Sequence, residues 1–300
     1  MVQIKIVALF FIFCGFLTKC HADVQCDQYA NDLDILSQFP FPVGLDYKQQ
    51  GPDKSTAILD STNSTVNMIQ LRQTGKFVPE SVFCLKNLQA LGIRDMLFVN
   101  GVVPDALSNL QQIHTLSITN TPITKMTEKL SSLAKLQSLM LDNCLLTQLP
   151  SLSELKNLTM VSLPNNRLTQ LEGLVKVRSL SLYKNQFTEI PMLEIPEALG
   201  RLDMNHNPVM DMSYLLLCKN ITEIRIAVSN IPMIPSHITL LKRLSFLDLA
   251  NTKITRVPKS ILNLPYLQFL VVQNNAIPKE EADALKMDIL NRQSKVTLLI

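Results

Sequence analysis

Four histidines, six cysteines and three Asn-x-Ser/Thr triplets are the residues of this 300-residue chain whose types could do chemistry. His114, His206 and His237 are widely separated, and none stands in register with a nucleophile and a carboxylate to form a relay. The chain has no Gly-x-Ser-x-Gly elbow, no His-Glu-x-x-His zinc helix and no glycine loop for a phosphate. Its cysteines lack the paired spacings of a metal site. No catalytic residue, metal ligand or cofactor is therefore expected. The chemistry that remains is that of exported chains. Cysteines can cross-link, and Asn63-Ser-Thr, Asn157-Leu-Thr and Asn220-Ile-Thr are acceptor triplets for N-linked glycans.

Residues 1–22 read as the address that such chemistry requires. Lys5 gives a small positive start, Ile6 to Leu17 is an apolar run, and Cys20-His21-Ala22 offers small residues at a cleavage site after Ala22. A run of about twelve apolar residues is too short to cross a bilayer, which needs about 20. Every later apolar stretch is interrupted by polar residues, so no membrane span is expected and the mature chain should be released outside the cell. With 47% hydrophobic and 18% charged residues the chain can fill a core and is not disordered. The formal charge of +3 falls to +1 once Lys5 and Lys19 leave, which excludes a nucleic-acid footprint.

A single repeat must position everything else. Leu136-Gln-Ser-Leu139-Met-Leu141-Asp-Asn-Cys144-Leu-Leu146 follows the spacing L-x-x-L-x-L-x-x-N/C-x-L. So do Leu158 to Leu168 and Val177 to Phe187. First positions fall at Val66, Leu88, Ile113, Leu136, Leu158, Val177, Leu199, Ile221, Leu244 and Leu267, at intervals of 22, 25, 23, 22, 19, 22, 22, 23 and 23. Positions four and six alternate as in a strand, so their side chains share one face. A single copy cannot bury that face, and stacked copies can. The ninth position should carry a side chain that satisfies backbone groups in the turn. It is Thr74, Met96, Thr121, Cys144, Asn166, Asn185, Asn207, Ser229, Thr252 and Asn275. Met96 cannot hydrogen-bond, and its copy has the longest interval, so an irregular second repeat is expected.

Over about residues 60–300 this pattern resembles the leucine-rich repeat superfamily, and Leu146-Thr-Gln-Leu149-Pro150 and Ile254-Thr-Arg-Val257-Pro258 resemble the tails of its 22–24-residue classes. The resemblance implies an α/β fold: a right-handed horseshoe solenoid with a parallel β-sheet on its concave side, about ten repeats and terminal caps. The expected organisation is a signal peptide over 1–22, an irregular N-terminal cap over 23–61, repeats over 62–277, and a capping helix and strand over 278–300. Pro278 followed by Glu280 and Glu281 marks the start of that helix.

Four cysteines stay in the mature chain and can pair in three ways. Cys144 holds a ninth position. Cys218 stands three before Ile221, where other copies carry Leu85, Leu133, Leu155, Leu241 and Leu264. Both should be buried thiols. Cys26 in the cap and Cys84, one residue off the buried site, are the expected disulfide; the alternative leaves both free. The multi-cysteine N-terminal cap of many extracellular family members is missing. Asn157 and Asn220 each immediately precede a first position, at an offset held elsewhere by polar residues, and should be exposed.

In this architecture the strand residues that point out of the concave sheet, at positions three, five, seven and eight, normally carry function. Aromatic, Met and Arg side chains are the types enriched at interface centres. Met140, Met160, Tyr183, Arg201, Arg225 and Phe246 are accordingly the expected contact centre. A ladder of Asp203, Arg225 and Asp248 at position five is an equally natural use of those charges. The expected function is a secreted, non-catalytic binding protein that grips a protein ligand, or a glycan, along the concave face, itself a monomer or weak homo-oligomer. An extracellular matrix scaffold is a second reading. A third is an intracellular regulatory adaptor, which requires that residues 1–22 not act as a signal.

Overall fold

The computed structural model describes residues 24–45, 54–62, 64–291 and 295–300. The leader and the acceptor Asn63 lie outside the described residues. Within them the chain coils into one thirteen-stranded sheet whose strands follow one another in sequence order. The cap supplies β1 (Val43–Gly44) and β2 (Ser55–Leu59). The repeats supply β3 (Val66–Arg72), β4 (Ala90–Arg94), β5 (Thr115–Thr119), β6 (Ser138–Asp142), β7 (Met160–Ser162), β8 (Ser179–Ser181), β9 (Arg201–Asp203), β10 (Glu223–Arg225), β11 (Phe246–Asp248) and β12 (Phe269–Val271). The last strand is β13 (Thr297–Leu299). From β3 onward every pairing is parallel and in strict register.

The register explains the core. Leu91, Leu116, Leu139, Val161, Leu180, Leu202, Ile224, Leu247 and Leu270 align from strand to strand, each no more than 1% exposed. Burial of one such side chain contributes about 1.5–3 kcal/mol. Each coil obtains it only from its neighbours, so stability runs along the stack.

The turn that follows each strand has two rules. At the ninth position Asn166, Asn185, Asn207 and Asn275 each accept one backbone N–H and donate to carbonyls of two coils. Thr121, Ser229 and Thr252 reach a carbonyl with a hydroxyl. The Cys144 thiol contacts the carbonyls of Ile118 and Asp142. Met96 is fully buried instead. Its coil keeps a regular strand and takes its extra length on the return path, in a 3-10 turn at Val99–Gly101. At the eighth position the backbone is left-handed in nine successive copies, from Asp95 (φ 56°) to Asn274 (φ 56°). Asn tolerates that region best among residues with a Cβ, and Asn fills it five times. Val228 (φ 53°) is the outlier, because a β-branched side chain is strained there.

The outer side carries 3-10 turns at Glu80–Cys84, Asp105–Asn109 and Glu128–Ser132, and again at Pro196–Ala198, Ser213–Leu217, Ile238–Leu240 and Lys259–Asn263. Between Ser132 and Pro196 it runs without a helical turn. The 19-residue copy lies in this stretch. There Gly173 (φ 76°) lets the backbone close in, since a Cβ would stand 2.3 Å from the Ser153 nitrogen.

The N-terminal segment, expected to be irregular, contains a short helix α1 (Asp32–Ser37) and the strands β1 and β2. Asn31 caps α1 by accepting the Asp34 N–H. Asp32 Oδ2 accepts the Val66 N–H at 2.7 Å, fixing α1 to the first repeat strand. β2 runs antiparallel to β3 and so covers the edge that a stack of parallel strands would leave open. The Cys26–Cys84 disulfide ties this cap to the first outer turn. At the other end α2 (Lys279–Asn291) buries Leu285 against the last coil, and β13 adds to β12.

Candidate functional site

Residues at positions three and five leave the sheet on the face opposite the leucine spine. Position three reads Met160, Ser179, Arg201, Glu223, Phe246 and Phe269 on consecutive strands, each opposite the next. The last four, joined by Arg225 at position five, form a connected chain of contacts. Arg201 Nε lies 4.0 Å from one oxygen of Glu223, and Arg225 Nε lies 2.5 Å from the other. The Arg225 guanidinium sits 4.6 Å over the Phe246 ring, and the Phe246 and Phe269 rings are 5.8 Å apart. Half-exposed ion pairs are each worth about 0–1 kcal/mol, and an exposed cation–π contact about 0.5–1 kcal/mol. These contacts orient side chains more than they stabilise the fold.

The expected contact centre thus divides. Arg201, Arg225 and Phe246 are joined, and Glu223 joins them. Tyr183 stands at position seven, packed edge-on against His206 at 5.2 Å with the Lys184 ammonium 5.4 Å from its ring. Met160 is exposed at position three, whereas Met140 is half-buried at position five opposite Ser162. The two methionines therefore sit diagonally on neighbouring strands.

The position-five charges align in register but do not act alike. Asp203 and Asp248 turn toward strand ends, where Asp203 Oδ1 accepts the Asn205 N–H at 3.0 Å and Asp248 Oδ1 the Ala250 N–H at 3.1 Å. Arg225 pairs within its own strand. Burial raises the Asp203 carboxyl above the ordinary range, against the opposing pull of the Asn205 N–H and the Arg225 charge. At the N-terminal end Asp95 lies 3.5 Å from both Arg72 and Arg94.

Cys144 and Cys218 lie in the spine, and burial pushes each thiol up to about 12, which removes thiolate chemistry at physiological pH. Among the described residues no group of three His, Cys, Asp or Glu side chains could hold a metal ion, and no helix is long and apolar enough to cross a membrane. Asn157 and Asn220 are exposed on the edge where each return path meets its strand.

Glu223 links Arg201 to Arg225 and is absent from the contact centre expected from residue type. Its signal was present, since position three places it between Arg201 and Phe246 on successive copies. Position eight was assigned to the contact face, yet its backbone forms the turn, and this sets His206 and Lys184 at the rim.

No family model and no curated protein sequence matches the chain. Solved structures match its coiled architecture. The functional domain of InlJ from Listeria monocytogenes is similar at TM-score 0.61 and 17% identity, over 78% of this chain and 48% of that one. The leucine-rich repeat domain of APL1 is similar at TM-score 0.59 and 20% identity, over 68% of this chain and 54% of that one. The plant peptide hormone receptor RGFR1, solved in complex with RGF2, is similar at TM-score 0.57 and 19% identity, over 82% of this chain and 42% of that one. The chain spans about half the length of these proteins. In fold it is a leucine-rich repeat solenoid.

Proposed function

We propose that this chain is a secreted, non-catalytic binding protein that holds a protein ligand against the concave sheet of its C-terminal half. The observation that carries this reading is the linked set Arg201, Glu223, Arg225, Phe246 and Phe269. Its arginines and phenylalanines are types enriched at interface centres, and Glu223 helps hold them in place before any ligand arrives. A stacked sheet loses little freedom on binding, so the contact energy is retained as affinity. Export is supported by the apolar leader and by the Cys26–Cys84 bridge, since disulfides persist in oxidising compartments. A solved relative of the same fold, RGFR1, is described in complex with RGF2, which favours a polypeptide ligand.

The test has two parts. Expression with the native leader should deliver into the medium a chain that begins at Asp23. Capture from native extracellular fluid, followed by mass spectrometry, supplies the ligand. Phe246→Ala should then weaken its binding by about tenfold, in line with a hot-spot loss above 1 kcal/mol, whereas the outer-face Met192→Ser should not. Unchanged affinity in a folded Phe246→Ala protein would place the contact elsewhere.

A further inference from the structure

The two described acceptor triplets occupy the same frame of the coil. Asn157 and Asn220 precede the buried Leu158 and Ile221, and Thr159 and Thr222 follow. In both, one N–H of the side-chain amide is already committed. Asn157 Nδ2 donates to the Ala134 carbonyl at 2.9 Å, and Asn220 Nδ2 to the Glu197 carbonyl at 3.0 Å, each 23 residues back in the coil before. An asparagine amide has two N–H bonds. Glycosylation exchanges one for a bond to C1 of N-acetylglucosamine and leaves the other. The hydrogen bond seen here therefore survives modification and sets the direction in which the sugar departs.

The ground beside the two sites differs. Four residues before the first buried position stand Ile195, Leu217 and Leu240 in three successive coils, 42%, 51% and 49% exposed. They hold one offset in three successive coils, at or beside the 3-10 turns of the outer side, and so line the same outer edge. Leu217 lies in the same turn as Asn220, because Lys219 N–H donates to the Leu217 carbonyl and Ile221 N–H to that of Cys218. Around Asn157 the equivalent positions are Ser132, Glu154 and Gly173. An edge that repeats an exposed aliphatic residue from coil to coil is suited to an apolar covering, and here the acceptor asparagine sits at the middle coil of the three.

We infer that Asn220 carries an N-linked glycan whose first sugars lie along Ile195, Leu217 and Leu240, whereas a glycan on Asn157 projects into water. In the transfer, Asn220 Nδ2 gives up a proton and attacks C1 of the first sugar on its lipid-pyrophosphate donor. The C1–O bond breaks, and the lipid pyrophosphate leaves with the electron pair. The sugar's C–H face then covers the aliphatic edge while its hydroxyls keep water. This inference rests on the export reading, and the outer edge so covered leaves the concave sheet open.

The test uses a heterologous secretion leader, so that residues 1–22 play no part in it. Glycopeptide mass spectrometry reads occupancy. Fluorescence of anilinonaphthalene sulfonate reads exposed apolar surface before and after enzymatic removal of the glycans from folded protein, and in Asn157→Gln and Asn220→Gln. Both sites should be occupied. Loss of the Asn220 glycan should raise the fluorescence, loss of the Asn157 glycan should not, and Leu217→Ser with Leu240→Ser should abolish the rise. An unoccupied Asn220 in secreted protein, or equal fluorescence in the two single variants, overturns the inference. Retention in cells of the chain with its native leader would instead count against the export reading alone.

Discussion

Replacing Asn185 with alanine removes an acceptor from the Leu168 N–H, at 3.0 Å, and a donor from the carbonyls of Leu163 and Leu182, at 2.8 and 3.1 Å. The three losses are not equal. The Leu163 carbonyl keeps a donor in Asn166 Nδ2 at 3.1 Å, and the Leu182 carbonyl keeps one in Asn207 Nδ2 at 2.8 Å. Only the buried N–H is orphaned, at a cost of about 1–3 kcal/mol. Asn185→Ala should therefore lower stability by about 2 kcal/mol, and Asn207→Ala by more, because it orphans the Phe187 N–H and also takes the side-chain donor from the Met204 carbonyl. The double variant strips the Leu182 carbonyl of both donors, which adds about 1 kcal/mol or more beyond the sum. Asn185 and Asn275 share no carbonyl, so that pair should add within about 0.5 kcal/mol. Urea unfolding followed by circular dichroism, with m-values held equal, measures the wild type, the three single variants and the two double variants. Strict additivity for Asn185 with Asn207 would refute the shared-acceptor ladder.

Three further substitutions probe the turn, the cap and the concave sheet. Val228→Asn should raise stability by about 1 kcal/mol, because it relieves a β-branched residue at φ 53° on an exposed turn; an unchanged or lower Tm would show that Val228 is not strained. Cys84→Ser opens a loop of sequence separation 58, which the loop-closure model values at about 4 kcal/mol, so hydrogen exchange should accelerate in the N-terminal cap first and leave β10–β12 protected. Asp203→Asn keeps an acceptor for the Asn205 N–H and removes a desolvated charge. A raised folded-state pKa contributes stability below the ordinary carboxylate pKa and loses it as pH rises, so the variant's advantage over wild type should be larger at pH 7 than at pH 3. An equal difference at both pH values would remove the burial argument.

The spine was legible because its requirement is chemical and repeated. Leucine at positions one, four and six and Asn or a substitute at nine leave one way to bury the apolar side chains while pairing the turn. The left-handed eighth position was legible in principle, as Asn at Asn120, Asn143, Asn165, Asn251 and Asn274, but Lys184, His206 and Val228 blur it. The cap strands were not legible, since β2 is held by pairing with β3 and by Asp32 reaching Val66, contacts without periodicity. The contact centre was read only by residue type. Type selects Arg201, Arg225 and Phe246, yet only side-chain geometry shows that Glu223 binds them together and that Met140 stands apart.

The stretch of outer chain without helical turns, between Ser132 and Pro196, has a mechanical result. On the inner rim each coil advances by one strand spacing, whatever its outer half contains. A helical turn is wide and drives the outer rims apart, as tapered staves bend a barrel; an extended segment is thin and lets them close. The arc must therefore bend more tightly at both ends than across the middle. The linked Arg201–Phe269 surface begins where helical turns resume on the outer side, at Pro196–Ala198.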